Sequence, residues 1–110
     1  MLDKKKYPYL ENYRRFTSED VKEAIILETN APRDFLDIKC RKRPYADAKK
    51  IYCKICRTAL RMGTVEIAKT ICQYDHSDVI HSNKAYDNCY ASDILFKNNC
   101  DKVSRRLGIS

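Results

Sequence analysis

Two glycines and three prolines in 110 residues leave this chain few places to turn sharply. The glycines are Gly63 and Gly108, and the prolines stand at 8, 32 and 44, each at or near a point where a helix can begin. A meander of hairpins or a loop-rich, cross-linked scaffold needs more of both residues, because tight turns demand backbone angles that other residues resist. What the chain has instead is apolar residues recurring at intervals of three and four, between short polar connections. It is therefore expected to be all-α, a compact domain of about five to six helices.

Local signals place those helices. Thr17 or Ser18 can cap a helix running to about residue 29, with Glu19 and Asp20 favourably set in its first turn. Val21, Ala24, Ile25 and Leu27 or Glu28 would form its buried face. Asn30 ends it, and Pro32, Phe35, Leu36 and Ile38 belong to a short turn that follows. The basic stretch Lys39-Cys40-Arg41-Lys42-Arg43 then leads to Pro44 and a long helix over about 45–61. Its inward stripe reads Tyr45, Ala48, Ile51 or Tyr52, Ile55, Ala59 and Leu60, which leaves Lys49, Lys50, Lys54, Arg57 and Arg61 largely off it. Gly63 stops that helix, and Thr64 caps a shorter one of two turns. Residues 72–74 turn the chain again. Asp75 caps a helix to about residue 90, packing through Val79, Ile80, Ala85, Tyr86 and Cys89, and Ser92 with Asp93 opens the last one, to about residue 106. Residues 1–16 read as an N-terminal arm, with Tyr7, Tyr9 and Tyr13 available to dock, and residues 17–110 as the domain.

Charge is distributed unevenly. The net charge is +7. Residues 39–70 alone hold ten cationic and two anionic side chains, more than the whole net charge, while residues 71–90 are net acidic. A localised basic patch is the electrostatic footprint of a protein that binds a polyanion. No stretch approaches the ~20 consecutive apolar residues of a membrane span. Lys4, Lys5 and Lys6 are not followed by the apolar run of a secretion signal, so a cytoplasmic protein is expected.

Six cysteines, at 40, 53, 56, 72, 89 and 100, could indicate disulfides or zinc. Zinc would need four ligands, for which Cys53 and Cys56 would have to recruit Cys40 or Cys72 with His76. Both members of that Cys-x-x-Cys pair fall mid-helix among apolar residues, however. Reduced cysteines serving as small core residues are the expectation, with no metal or cofactor. Two histidines, no glycine-rich phosphate loop and no triad-like arrangement give no basis for catalysis, so an enzyme is not expected either.

A short helix, a turn and a second capped helix make the helix-turn-helix pattern, whose second helix offers its N-terminal residues to base edges in the major groove. Here that helix opens Asp75-His76-Ser77-Asp78-Val79-Ile80-His81, with Glu66-Ile67-Ala68 upstream. This run resembles the C-terminal DNA-binding domain of the bacterial replication initiator DnaA, of the Trp-repressor-like helix-turn-helix type. That family reads Glu-Ile-Gly, then Gly-Gly-Arg-Asp-His-Thr/Ser-Thr-Val-Leu-His. The resemblance extends over residues 16–107 and includes Asp34-Phe35-Leu36 before the basic loop. It implies a bacterial or phage DNA-binding protein, engaged in replication or regulation, in which Asp75, His76 and Ser77 read bases. Thr64, after Gly63, would touch a phosphate. Lys49 and Lys50 would face the duplex, and Arg41, Lys42 and Arg43 would approach the minor groove.

This sequence departs from the family at informative positions. Gly-Gly-Arg is Cys72-Gln73-Tyr74, the second Thr is Asp78, and Asp47 stands where the family has its minor-groove arginine. Each change puts repulsion or neutrality where phosphate lies, so the expected target differs from the initiator's own. The phosphate-loop pattern of the initiator's nucleotide-binding module is also missing. Double-stranded DNA is the expected partner. A helix-turn-helix kept as a protein-interaction module is the alternative, motivated by Asp47, Asp78 and the acidic balance around the recognition helix.

Overall fold

Reciprocal caps, apolar spacing and a shortage of turn residues produce five helices and no strand among the residues that the computed structural model describes, 16–109. They are α1 Ser18–Thr29, α2 Arg43–Thr58, α3 Thr64–Ala68, α4 His76–Ser92 and α5 Ile94–Leu107. The expected arm lies outside the described residues, Tyr7, Tyr9 and Tyr13 with it. Phe16, counted with that arm in the sequence reading, packs against the core. None of the described helices is long and apolar enough to cross a membrane.

Three helices start on caps that are visible in the sequence. Thr17 accepts from the Asp20 amide while its own amide donates to Asp20 Oδ2 at 2.9 Å, a capping box that satisfies two orphan donors at once. Asp75 and Asp78 repeat the device at α4, at 3.1 and 3.0 Å. Asp93 is the single residue between α4 and α5: its amide closes α4 on Cys89, and its carboxylate accepts from the amides of Leu95 and Phe96 to open α5.

Helix ends show how the chain turns with so little glycine. Asn30, Arg61 and Gln73 all have φ between 56° and 58°, in the left-handed region that L-residues enter at a cost of roughly 1–2 kcal/mol each. Asn30 ends α1, Arg61 lies beyond α2, and Gln73 lies in the connection before α4. Gly108, at φ 76°, ends α5 in the usual way. Gly63 is different from what its sequence position implies. It does not stop α2, which ends at Thr58 and closes through a Met62 amide bonded to the Cys56 carbonyl across Arg61. Gly63 is instead the N-cap of α3, with extended backbone, its amide donating to Glu66. Thr64 is therefore the first residue of α3, not its cap, and α3 is shorter than the two turns expected.

The core is built around α2. Its buried face comprises Ala48, Lys49, Ile51, Tyr52, Cys53, Ile55 and Cys56, a wide arc that packs against α1, α3 and α4. Tyr45, Ala59 and Leu60, expected on the stripe, are only half-buried at its ends. Tyr52 is fully buried, edge-on to Phe35 with centroids 6.2 Å apart, and its hydroxyl bonds Thr70 at 2.8 Å. α5 closes the other side through Phe96, Cys100 and Val103, packing on α1 and α4. Burial differs from expectation on two helices. On α1, Ile26 is buried and Leu27 exposed; on α4, Ile80 is exposed and the polar Ser82 buried. Ile38 is exposed as well.

Cys53, Cys56 and Cys100 are fully buried, and loss of water around the thiolate pushes each thiol up to about 12. Cys40, Cys72 and Cys89 are half-exposed, and all six are free thiols. Thiol-specific reagent should therefore modify only these last three in the native protein, with Cys53, Cys56 and Cys100 reacting after denaturation. Rapid native modification of Cys53 or Cys56, mapped by mass spectrometry, would contradict this packing.

Candidate nucleic-acid interface

The basic loop runs directly into α2, and folding brings both to one cleft with Tyr74 and Asp78, from around the start of α4; Asp75, His76 and Ser77 do not line it. Two hydrogen bonds set the loop in place. The Cys72 amide donates to the Leu36 carbonyl at 2.8 Å, tying the α3–α4 connection to the segment before the loop. Lys49 Nζ donates to the Ile38 carbonyl at 2.9 Å, tying the loop's first residues to α2. The result is a cleft of about 240 Å³ lined by Lys39, Arg41, Lys49, Lys50, Tyr74 and Asp78 among others. Tyr74 is held by its hydroxyl against Ser82 Oγ at 3.3 Å.

The cations at this site are not equivalent. Lys39, Arg41 and Lys42 are exposed on the loop. Arg41 and Lys42 form no ion pair among the described residues. Arg43 is the first residue of α2 and not part of the loop; its guanidinium is shared between Asp47, at 3.1 Å, and Asp93, fifty residues away. Asp47 also pairs with Lys50 at 3.5 Å. Asp47 thus offsets the charge of two of the predicted DNA contacts.

Lys49 is the main correction. It was expected off the buried stripe and facing the duplex, but it is 3 % exposed, with its ammonium on the Ile38 carbonyl and 5.6 Å from the Tyr74 ring centre. Burying the stem along α2 while the head finds a carbonyl and an aromatic face is how a lysine enters a core. Its charge lies under the cleft; the side chain itself is not free to reach out.

At α4, Asp75, His76 and Ser77 are exposed side by side. Asp75 Oδ1 is occupied by the Asp78 amide. His81 is exposed on the same face. Thr64 does not line the cleft. The α3–α4 connection runs from Lys69 to Asp75, longer than a three-to-four-residue turn, and is held by successive turn hydrogen bonds from Thr70, Ile71 and Tyr74.

The sequence reading missed Ile80 and Lys84 as surface residues of α4, and Tyr74 and Ser82 as a wall of the cleft. Counting i, i+4, i+8 from His76 would have exposed the first two; no sequence signal marked the buried Ser82.

A larger groove, about 500 Å³, runs along α4 and α5 beside the stacked Tyr86 and Tyr90. Its carboxylates are already engaged, Asp87 by Lys54 at 2.9 Å and Asp101 by the Tyr90 hydroxyl and Lys97. It contains none of the predicted contacts. Among the described residues no three of His, Cys, Asp and Glu gather in a way that could hold a metal ion.

No protein family, curated protein or solved structure matches the chain.

Lys49→Met keeps the buried stem and removes the charge-assisted bond to Ile38, which should lower unfolding stability by about 1–2 kcal/mol in urea. An unchanged midpoint would mean that the ammonium is solvated. Asp93 is held below the usual carboxylate range by the Phe96 amide first and by Arg43 next; Asp101 is held down by the Tyr90 hydroxyl and then Lys97. A depressed folded-state pKa contributes stability above the unfolded value and loses it as the pH falls through the folded one. Thermal stability should thus decline below pH ~4. Asp93→Asn retains a capping oxygen but cannot ionise, so its acid limb should be shallower than that of the wild type. Superimposable limbs would remove Asp93 from the acid response.

Proposed function

We propose that this chain binds double-stranded DNA, with α4 entering the major groove as the second helix of a helix-turn-helix and the loop at 39–42 gripping the backbone beside it. The observation that carries this reading is the cleft itself. It sets Lys39 and Arg41 with Asp78, in the first turn of the helix whose Asp-His-Ser start resembles an initiator's base readers.

Further features support it. Gln73 adopts left-handed backbone at a position where the resembled sequence has glycine, the residue that enters that conformation most easily. His76 and Ser77 can donate or accept toward base edges, and the free Oδ2 of Asp75 can accept from a cytosine amino group. The carboxylates of Asp75 and Asp78 repel phosphate, which assigns backbone contact to Lys39, Arg41 and Lys42 and leaves the helix start to bases. Arg43, Lys50 and Lys49 contribute charge from behind. On this reading the protein is a binding module, with no catalytic step, and works on cytoplasmic DNA.

A protein-interaction role is the second reading. Ile94 and Leu95, adjacent at the start of α5, are each about two-thirds exposed, and the acidic residues at α4 would suit a basic partner.

Fluorescence anisotropy with a labelled random-sequence duplex over a salt series separates the two. Wild type should bind with an affinity that falls steeply with salt. Arg41→Ala with Lys42→Ala should weaken all sequences alike and reduce the log–log salt slope by about 2, the two phosphate contacts removed. Absence of binding at low salt would favour the protein partner.

A further inference from the structure

The surface of α4 away from the core is one continuous stripe. At 100° per residue, His76, Ser77, Ile80, His81 and Lys84 fall within 140° of each other, and all five are exposed. Val79 and Ser82, on the opposite side, are buried. No carboxylate interrupts the stripe over these three turns; Asp87, the next member, is already paired with Lys54. The stripe therefore presents two hydrogen-bonding residues at its start, an isoleucine in the middle, 42 % exposed, and a cation one turn further on.

A single exposed isoleucine is ordinary on a protein surface. This one has His76 one turn before it and Lys84 one turn after it on a solvent-facing strip. The cleft that holds Lys39 and Arg41 reaches α4 at Asp78 and Ser82, on the other side of the helix from Ile80. Groups that hydrogen-bond base edges, surrounding one branched aliphatic side chain, complement the major groove. There the only apolar group on any base edge is the C5 methyl of thymine, and the minor groove has none.

Resting on the DNA-binding reading above, we propose that Ile80 is a specificity-determining residue that selects thymine by packing on its C5 methyl group, with His76 and Ser77 reading neighbouring bases. The partner is thus a duplex whose site carries a thymine about one helical turn of α4 along from the bases that His76 reaches. Ile80 takes no part in the core, so its truncation leaves the fold in place.

The test uses the full chain and two random-sequence duplex pools, identical except that one carries deoxyuridine in place of thymidine. That exchange deletes the methyl and keeps the hydrogen-bonding edge. Sequences enriched by wild type from the thymidine pool should bind about fourfold less tightly when remade with deoxyuridine, the effect of one buried methyl-sized group. Ile80→Ala, checked for unchanged helicity, should bind both forms equally, at the wild-type affinity for the deoxyuridine form, and Ile80→Val should restore most of the difference. Salt-dependent binding with no thymine–uracil difference in wild type would overturn the role of Ile80 while leaving DNA binding intact. A difference that persists in Ile80→Ala would do the same, since another group would then be reading the methyl. No salt-dependent binding to either pool would remove the DNA-binding reading itself, and this inference with it.

Discussion

Everything in this fold is organised by the wide burial of α2. A helix with one neighbour buries a stripe; α2 packs against three, and seven of its sixteen residues are buried. Tyr52 fills the centre of that arc, contacting Phe35 in the segment after α1 and Thr70 after α3. The two cysteines of the Cys-x-x-Cys pair, Cys53 and Cys56, complete it as small apolar groups. Covering so wide an arc leaves α2 little surface for charge. Its lysines either run their stems along the core, as Lys49 does, or lie at its edge beside a carboxylate, as Lys50 and Lys54 do.

That constraint is what makes the candidate interface. With Lys49 pinned beneath Tyr74 and bonded to Ile38, the basic loop is drawn against the connection that precedes α4. The same contacts neutralise part of the patch. Of the cluster between residues 39 and 50, Arg43 and Lys50 share Asp47, and Arg43 also spans to Asp93, where α4 gives way to α5. The charge left for a polyanion is thus concentrated at Lys39, Arg41 and Lys42, a narrower edge than the sequence count implies.

The carboxylates at α4 show one residue type serving two opposed purposes. Asp75 and Asp78 cap the helix reciprocally, which satisfies backbone donors and suits the positive end of the helix dipole. The same two charges oppose phosphate. The expected resemblance to an initiator's DNA-binding domain rests mainly on this run, and so do the departures from it. The cap explains why Asp78 is favourable for folding even where a neutral residue would be better for binding DNA.

Helix content and most helix starts were legible in the sequence because their causes are local. Thr17 with Asp20, Asp75 with Asp78, and Asp93 each act on amides within three residues, and apolar spacing identifies a helix wherever it lies. Which way each helix faces was not legible. Val79 and Ile80 are both apolar and 100° apart, so the choice of which to bury belongs to the helices packed against α4; the same holds for Ile26 and Leu27 on α1. Nothing local told that Lys49 would be buried, since its carbonyl partner is eleven residues back and its aromatic one lies beyond α3. Nor could sequence spacing pair Arg43 with Asp93. The sequence by itself determined an all-α chain, three helix starts on side-chain caps, and a basic segment in the middle of the chain. Only the tertiary structure decided which of those basic residues reach solvent and which face of α4 they flank, because burial is set by contacts between residues far apart in the chain.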